Sequence, residues 1–123
     1  MKNTVFIVDD SFYMRTMLKN ILSDAGFKIV GEAAEGANVV EKVMETQPDL
    51  VTLDMILPDH TGIEVLRRLK LEKPDIKVVM VSAVGQEAIV NEALQEGALA
   101  YIVKPFSEEK VINIVTHVLE NDY

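Results

Sequence analysis

The stretch TVFIVDDSFYMR, residues 4–15, decides the fold. Four apolar residues, Val5 to Val8, run into two adjacent carboxylates, Asp9 and Asp10, and a helical apolar spacing takes over after them. A short β-branched run of this kind suits a strand buried on both faces, which needs no polar alternation. The helix follows from Met14, Met17, Leu18, Ile21, Leu22 and Ala25, which share one face before Gly26 ends the pattern. The unit is a strand leading straight into a helix, with two like charges at the turn. Adjacent carboxylates repel and raise each other's pKa unless something positive lies between them and a further acid. The alternative is that they cap the helix, a position that both Asp and Ser favour.

Outward from this unit the same rhythm repeats. Apolar runs recur at 28–30 (KIV), 50–53 (LVTL), 76–81 (IKVVMV) and 100–103 (AYIV), which with the first gives five candidate strands. Between them the spacing predicts helices over 37–46, stopped by TQPD, from Gly62 to Pro74, and over QEAIVNEALQEG, closed by Gly97. A last helix opens at PFSEEK, where Ser107 and Lys110 lack a full capping box but Glu108 and Glu109 suit a helix N-terminus. Its Val111, Ile112, Ile114, Val115, Val118 and Leu119 form a broad apolar stripe, read as core packing with room for a partner contact. Strict alternation with short connections implies parallel strands, right-handed crossovers and helices on both faces. The expected fold is α/β, a doubly wound five-stranded parallel sheet with five helices, in one domain over residues 1–123.

Composition narrows the function. Of 123 residues, 49% are apolar and 26% charged, ordinary for a globular chain with a real core. There is no cysteine, which excludes a disulfide framework, a thiolate zinc site and a cysteine nucleophile. Twelve basic against twenty acidic residues give a net charge of −8, which opposes binding to nucleic acid or anionic lipid. No apolar run approaches the roughly 18 residues of a membrane span, and the N-terminus lacks a signal-peptide pattern, so a cytoplasmic location is expected. His60 and His117 have no metal-ligand spacing and read as surface residues, and the six methionines read as core filler.

In open parallel sheets, ligands bind outside the carboxyl ends of the strands. Those ends carry Asp9 and Asp10, then Asp54, Ser82 and Lys104, separated from Asp10 onward by 44, 28 and 22 residues. Each alone could be a turn, cap or solvated residue, but topology brings all of them to one edge. Several carboxylates with a hydroxyl and an ammonium suit Mg2+ beside a phosphate. Asp54 is then placed as a nucleophile on phosphorus, with Lys104 and the metal neutralising the transferring oxygens and Ser82 donating a hydrogen bond. The product would be a phosphoaspartate.

These residues carry a resemblance that covers essentially the whole chain. VDD on the first strand, LD ending the third with Pro58 and Gly62 following, SA at 82 and 83, and KP at 104 and 105 resemble the receiver domain of two-component response regulators. The resemblance implies the flavodoxin-like strand order 2-1-3-4-5, for which the receiver fold is a standard example. It implies that Asp54 is the phosphoacceptor, Asp10 a direct Mg2+ ligand, Asp9 a ligand through water and Met55 a ligand through its backbone carbonyl. It implies that Ser82 and Lys104 bind the phosphoryl oxygens and that Tyr101 is an aromatic switch turning inward with Ser82, where a half-exposed strand tyrosine is the plainer reading. The Lys104–Pro105 bond falls where such domains often have a cis peptide.

Ile56 and Val84 depart from the family pattern, because many relatives carry polar side chains two residues beyond the phosphoacceptor and the hydroxyl. The expectation is that the two apolar side chains shield the acyl phosphate, with a core role as the alternative. By resemblance the chain is a single-domain switch and not an enzyme. It would take its phosphoryl group from a histidine kinase of the CheA type and bind a downstream protein such as the flagellar motor switch through the fourth helix, fifth strand and fifth helix, with a phosphatase as a possible further partner. A phosphorelay intermediate, or a receiver cut from a larger regulator, is the alternative within signalling. A Mg2+-dependent phosphatase of the haloacid dehalogenase type also forms an aspartyl phosphate, but expects a second acid where Ile56 stands.

Overall fold

The computed structural model describes residues 3–121. In chain order the elements are β1 (Thr4–Val8), α1 (Phe12–Asp24), β2 (Lys28–Ala33), α2 (Val39–Thr46), β3 (Leu50–Asp54), α3 (Gly62–Glu72), β4 (Lys77–Ala83), α4 (Glu87–Gln95), β5 (Ala100–Lys104) and α5 (Glu108–Glu120). All strand pairs are parallel and the sheet order is β2-β1-β3-β4-β5. The order reverses between β1 and β3, so a crevice opens where their carboxyl ends diverge.

The helices divide between the two faces. Val5, Ile7, Leu50, Val79 and Ile102 pack under α1 and α5, with Leu18, Leu22, Val111, Val115 and Val118 meeting them. Phe6, Val51, Leu53, Val78 and Met80 pack on the other face under α2, α3 and α4. The alternation of neighbours along each strand explains why β1 and β4 read as near-continuous apolar runs, and β3 as a run broken only by the buried Thr52. The broad stripe on α5 is used chiefly inward: Val111, Val115, Val118 and Leu119 are buried, and Ile112 and Ile114 pack partly against the same core.

Boundaries differ from expectation where polar residues interrupt a run. β2 continues through Gly31 and Glu32 to Ala33, because the edge strand needs only one apolar face and Gly31 lies under the Phe6 ring, where a Cβ would come within 2.6 Å. α2 begins at Val39 rather than 37, after Asn38. Gly26 and Gly97 sit at φ +96° and +111° and end α1 and α4 as their placement predicts. Ser107 caps α5 by accepting from Lys110 N, without the reciprocal bond of a capping box. Among the methionines, Met55 and Met80 are core residues, whereas Met44 is exposed on α2; Met1 lies outside the described residues.

Candidate functional site

Asp9, Asp10 and Asp54 meet in the crevice between β1 and β3, each offering a carboxylate oxygen within 4.8 Å of the others. Asp54 is the last residue of a fully buried strand, and Asp9 follows β1 with no exposed surface, while Asp10 faces solvent. Lys104 reaches across from the end of β5. Its Nζ lies 3.0 Å from Asp9 Oδ2 and 3.1 Å from Asp54 Oδ2. The Lys104–Pro105 peptide is cis.

The charges shape one another. Burial pushes the Asp54 carboxyl above its ordinary range, the Asp9 charge pushes it further, and Lys104 offsets part of the rise. Burial pulls on Lys104 in the opposite sense, but its contacts with Asp9 and Asp54 outweigh that and hold the ammonium above its ordinary value. One ammonium for three carboxylates leaves the crevice short of positive charge. Asp9 Oδ1 accepts from Ser11 N at 2.9 Å. Asp9 Oδ2 is buried, and its approach to Lys104 is a charge contact without hydrogen-bond alignment. A buried, incompletely satisfied carboxylate oxygen facing two further acids is the donor set of a hard divalent cation.

The backbone around Asp54 alters one expectation. The Met55 carbonyl accepts a 2.7 Å hydrogen bond from Gly62 N and is turned toward the start of α3. Ile56 and Thr61 form an antiparallel bridge flanked by that bond and by Leu57 N to His60 O, so the polar groups of Ile56 face away from Thr61. Ile56 N points at Asp54 Oδ1, 3.5 Å away. The carbonyl on the side of the carboxylates is therefore that of Ile56, one residue later than expected.

Ser82 is on β4, one residue beyond Val81, the register partner of Asp54. It is buried and borders a cavity of about 40 Å³ shared with Val90 of α4 and Tyr101 of β5. Tyr101 is 43% exposed and Val103 39%, both outward on the last strand. Ile56 and Val84 are 57% and 75% exposed, which overturns the alternative of a core role for either.

Three contributors left no mark in the sequence pattern. Arg15, from the second turn of α1, donates from Nη1 to the Asp9 carbonyl at 2.6 Å and from Nε to Glu32 Oε1 at 2.9 Å. Glu32 also accepts from Lys19 Nζ at 2.7 Å, and Lys19 and then Arg15 hold its carboxyl below the ordinary range against the opposing effect of burial. Asp59 accepts from Gly36 N at 2.7 Å and Ala37 N at 3.0 Å, and so ties the loop after Asp54 to the loop after β2. His60, expected on the surface, is half-buried with Nδ1 3.0 Å from Asp59 Oδ2, whereas His117 is exposed on α5. A lone arginine on an amphipathic helix and an acid in a turn look the same in sequence whatever they hold.

Residues 5–116 match the family described as the response regulator receiver domain. The chain is 42% identical to the chemotaxis protein CheY of Thermotoga maritima over 118 residues, covering 96% of this chain and 98% of that protein. It is 44% identical to the CheY of Listeria monocytogenes over 108 residues, covering 88% and 91%. Among solved structures, the receiver domain of NtrX from Brucella abortus superposes with a TM-score of 0.91 at 29% identity, covering 96% of this chain and 99% of that one. The CheX–CheY–BeF3–Mg2+ complex from Borrelia burgdorferi gives a TM-score of 0.90 at 36% identity, covering 94% and 88%.

Proposed function

Because this chain belongs to the response regulator receiver family, we propose that Asp54 is the phosphoacceptor of a Mg2+-dependent switch that a histidine kinase loads and a chemotaxis or motor protein reads. The observation that carries the reading is Lys104 Nζ lying between Asp9 and Asp54, at 3.0 and 3.1 Å, in a crevice with a third carboxylate. The three carboxylates and the Ile56 carbonyl are the groups that would hold Mg2+, which supplies charge neutralisation for the transferring phosphoryl oxygens when bound.

Asp54 Oδ attacks phosphorus, the new O–P bond forms, and the bond from phosphorus to the donor breaks with its electron pair leaving on the donor. Lys104, already held protonated, exchanges a carboxylate partner for a phosphoryl oxygen. Ser82 donates its hydroxyl from β4, and its loop follows the phosphate. The cavity it shares with Tyr101, about 40 Å³, is too small for a phenol ring, so Tyr101 can turn inward only if the loop after β4 moves. Such a change requires only that the phosphorylated state gain a few kcal/mol in contacts over the other. Val84 in the loop after β4, Ile89 on α4, and Tyr101 and Val103 on β5 are exposed apolar side chains available to a downstream protein.

Intact mass after incubation with acetyl phosphate tests the chemistry. A gain of one phosphoryl group that needs Mg2+ and is lost in Asp54→Ala is the expected result. No gain in the wild-type protein under any Mg2+ concentration would refute the assignment. Repeated turnover of a generic phosphate ester would instead favour a phosphatase.

A further inference from the structure

The acidic pair at the end of β1 is held in place from outside the crevice, and unequally. Every polar group of Asp9 has a neighbour: its N–H donates to Ala33 O at 3.0 Å, its Oδ1 accepts from Ser11 N at 2.9 Å, Oδ2 meets Lys104, and its carbonyl accepts from Arg15 at 2.6 Å. Asp10 is exposed, and among the described residues its carboxylate accepts no hydrogen bond. What aims Asp10 at the other two carboxylates is therefore the plane of the Asp9–Asp10 peptide, and the group that grips that peptide's oxygen is the Arg15 guanidinium.

Arg15 is itself fixed. Only 13% of its side chain is exposed, its Nε is tied to Glu32, which Lys19 anchors to α1 from the same helix face, and its guanidinium lies 5.8 Å from the centre of the Phe12 ring. A planar fork bonded at two points transmits position in a way that a point charge does not. We propose that Arg15 is a positioning residue for the metal site, orienting Asp10 through the Asp9 carbonyl, with Glu32 as its anchor on β2. This rests on the reading of the crevice as a Mg2+ site.

The proposal separates from a purely electrostatic role by sign. As a nearby positive charge, Arg15 would weaken cation binding, so its removal would tighten it. As a positioning group, its loss frees the peptide and weakens binding. Outer-sphere partners of metal ligands are worth about 10- to 100-fold in affinity, and the lower end suits a group acting through a backbone carbonyl.

The experiment is Mg2+ titration by calorimetry on the full chain, unphosphorylated, for wild type, Arg15→Met, Arg15→Lys and Glu32→Gln, with a thermal melt of each in the absence of Mg2+. Arg15→Met keeps the apolar stem and should raise the Mg2+ Kd about tenfold. Arg15→Lys keeps the charge but cannot span both partners, and should fall between. Glu32→Gln removes the anchor's charge and should weaken binding by a smaller factor, which keeps the proposal testable if Arg15→Met fails to fold. Unchanged or tighter Mg2+ binding in folded Arg15→Met, or wild-type affinity in both Arg15→Lys and Glu32→Gln, overturns the positioning role alone. No Mg2+ binding by the wild-type protein overturns the metal reading, and this inference with it.

Discussion

At the amino ends of the strands, Asp49 accepts from Thr4 N and Thr4 Oγ1 at 3.0 and 2.8 Å, and Lys77 Nζ donates to Val118 O and Asn121 O at 2.9 and 2.7 Å. Each charge there closes a connection between neighbouring elements and is matched by partners. At the carboxyl ends, Asp9, Asp10 and Asp54 crowd around Lys104, and the Asp54 carboxyl is pushed up by burial and by Asp9. The same sheet thus uses polar groups for cohesion at one edge and keeps them in tension at the other. Both edges are built by equivalent strand ends, so the difference lies in what the charges lack and not in how the chain is folded.

The largest effect should come where α3 presses on the reactive edge. Gly62 donates to the Met55 carbonyl, and a Cβ there would stand 2.3 Å from the Asp54 carbonyl oxygen and 2.8 Å from the Met55 Cα. Both are backbone atoms, which cannot swing aside. Gly62→Ala should destabilise by about 3 kcal/mol, at the upper end for overpacking, and abolish labelling by acetyl phosphate. Chemical denaturation and intact mass read the two consequences separately.

Next in size is the cohesive edge. Asp49→Ala leaves the Thr4 N–H and hydroxyl without their carboxylate and should cost about 2 kcal/mol, the range for partly buried bonds to a charged group. Labelling of Asp54 should be retained in the folded variant, since nothing at that end touches the crevice. A loss of labelling at temperatures where the variant is folded would show that the two edges are not independent.

The reactive edge should respond with the opposite sign. In Mg2+-free buffer at neutral pH, Asp54→Asn removes a buried charge that the folded state disfavours, and should stabilise by on the order of 1 kcal/mol, typical of relief at a functional site. Because the folded-state value lies above the ordinary one, folding holds this proton more tightly than the unfolded chain does. The destabilisation is absent below about pH 4 and grows as pH rises through the folded-state value. The advantage of Asp54→Asn over wild type should therefore widen from acid to neutral pH, and Mg2+ should reduce it by stabilising the wild type alone.

How legible these edges were in the sequence follows from the same contrast. β1, β3 and β4 are buried on both faces, so their apolar runs mark them, and the residues that end the runs, Asp9, Asp54 and Ser82, were marked with them. Lys104 was visible because it ends a run too. What stayed hidden depends on backbone direction. Arg15 acts on a carbonyl, and the choice between the Met55 and Ile56 carbonyls turns on a bridge to Thr61 that no residue type announces. The sequence pattern stops β2 short because Gly31 is explained only by Phe6 on the neighbouring strand, and it puts His60 on the surface because Asp59, its partner, is itself placed by Gly36 and Ala37.

The smallest effect on stability sharpens the contrast most. Ile56 and Val84 are large apolar side chains left in solvent beside the crevice, and neither is part of either core. Exchanging them for polar residues should leave stability within about 0.5 kcal/mol, as for surface positions generally. If their role is to keep water from the acyl phosphate, the double variant Ile56→Asn, Val84→Glu should lose its phosphoryl group several-fold faster, measured as decay of the phosphorylated mass after the donor is removed. A water delivered and oriented by new polar groups attacks phosphorus, whereas apolar side chains offer it no hydrogen bond. An unchanged half-life would mean that the lifetime is set by Lys104 and the metal alone, and that the apolar rim serves contact with a partner instead.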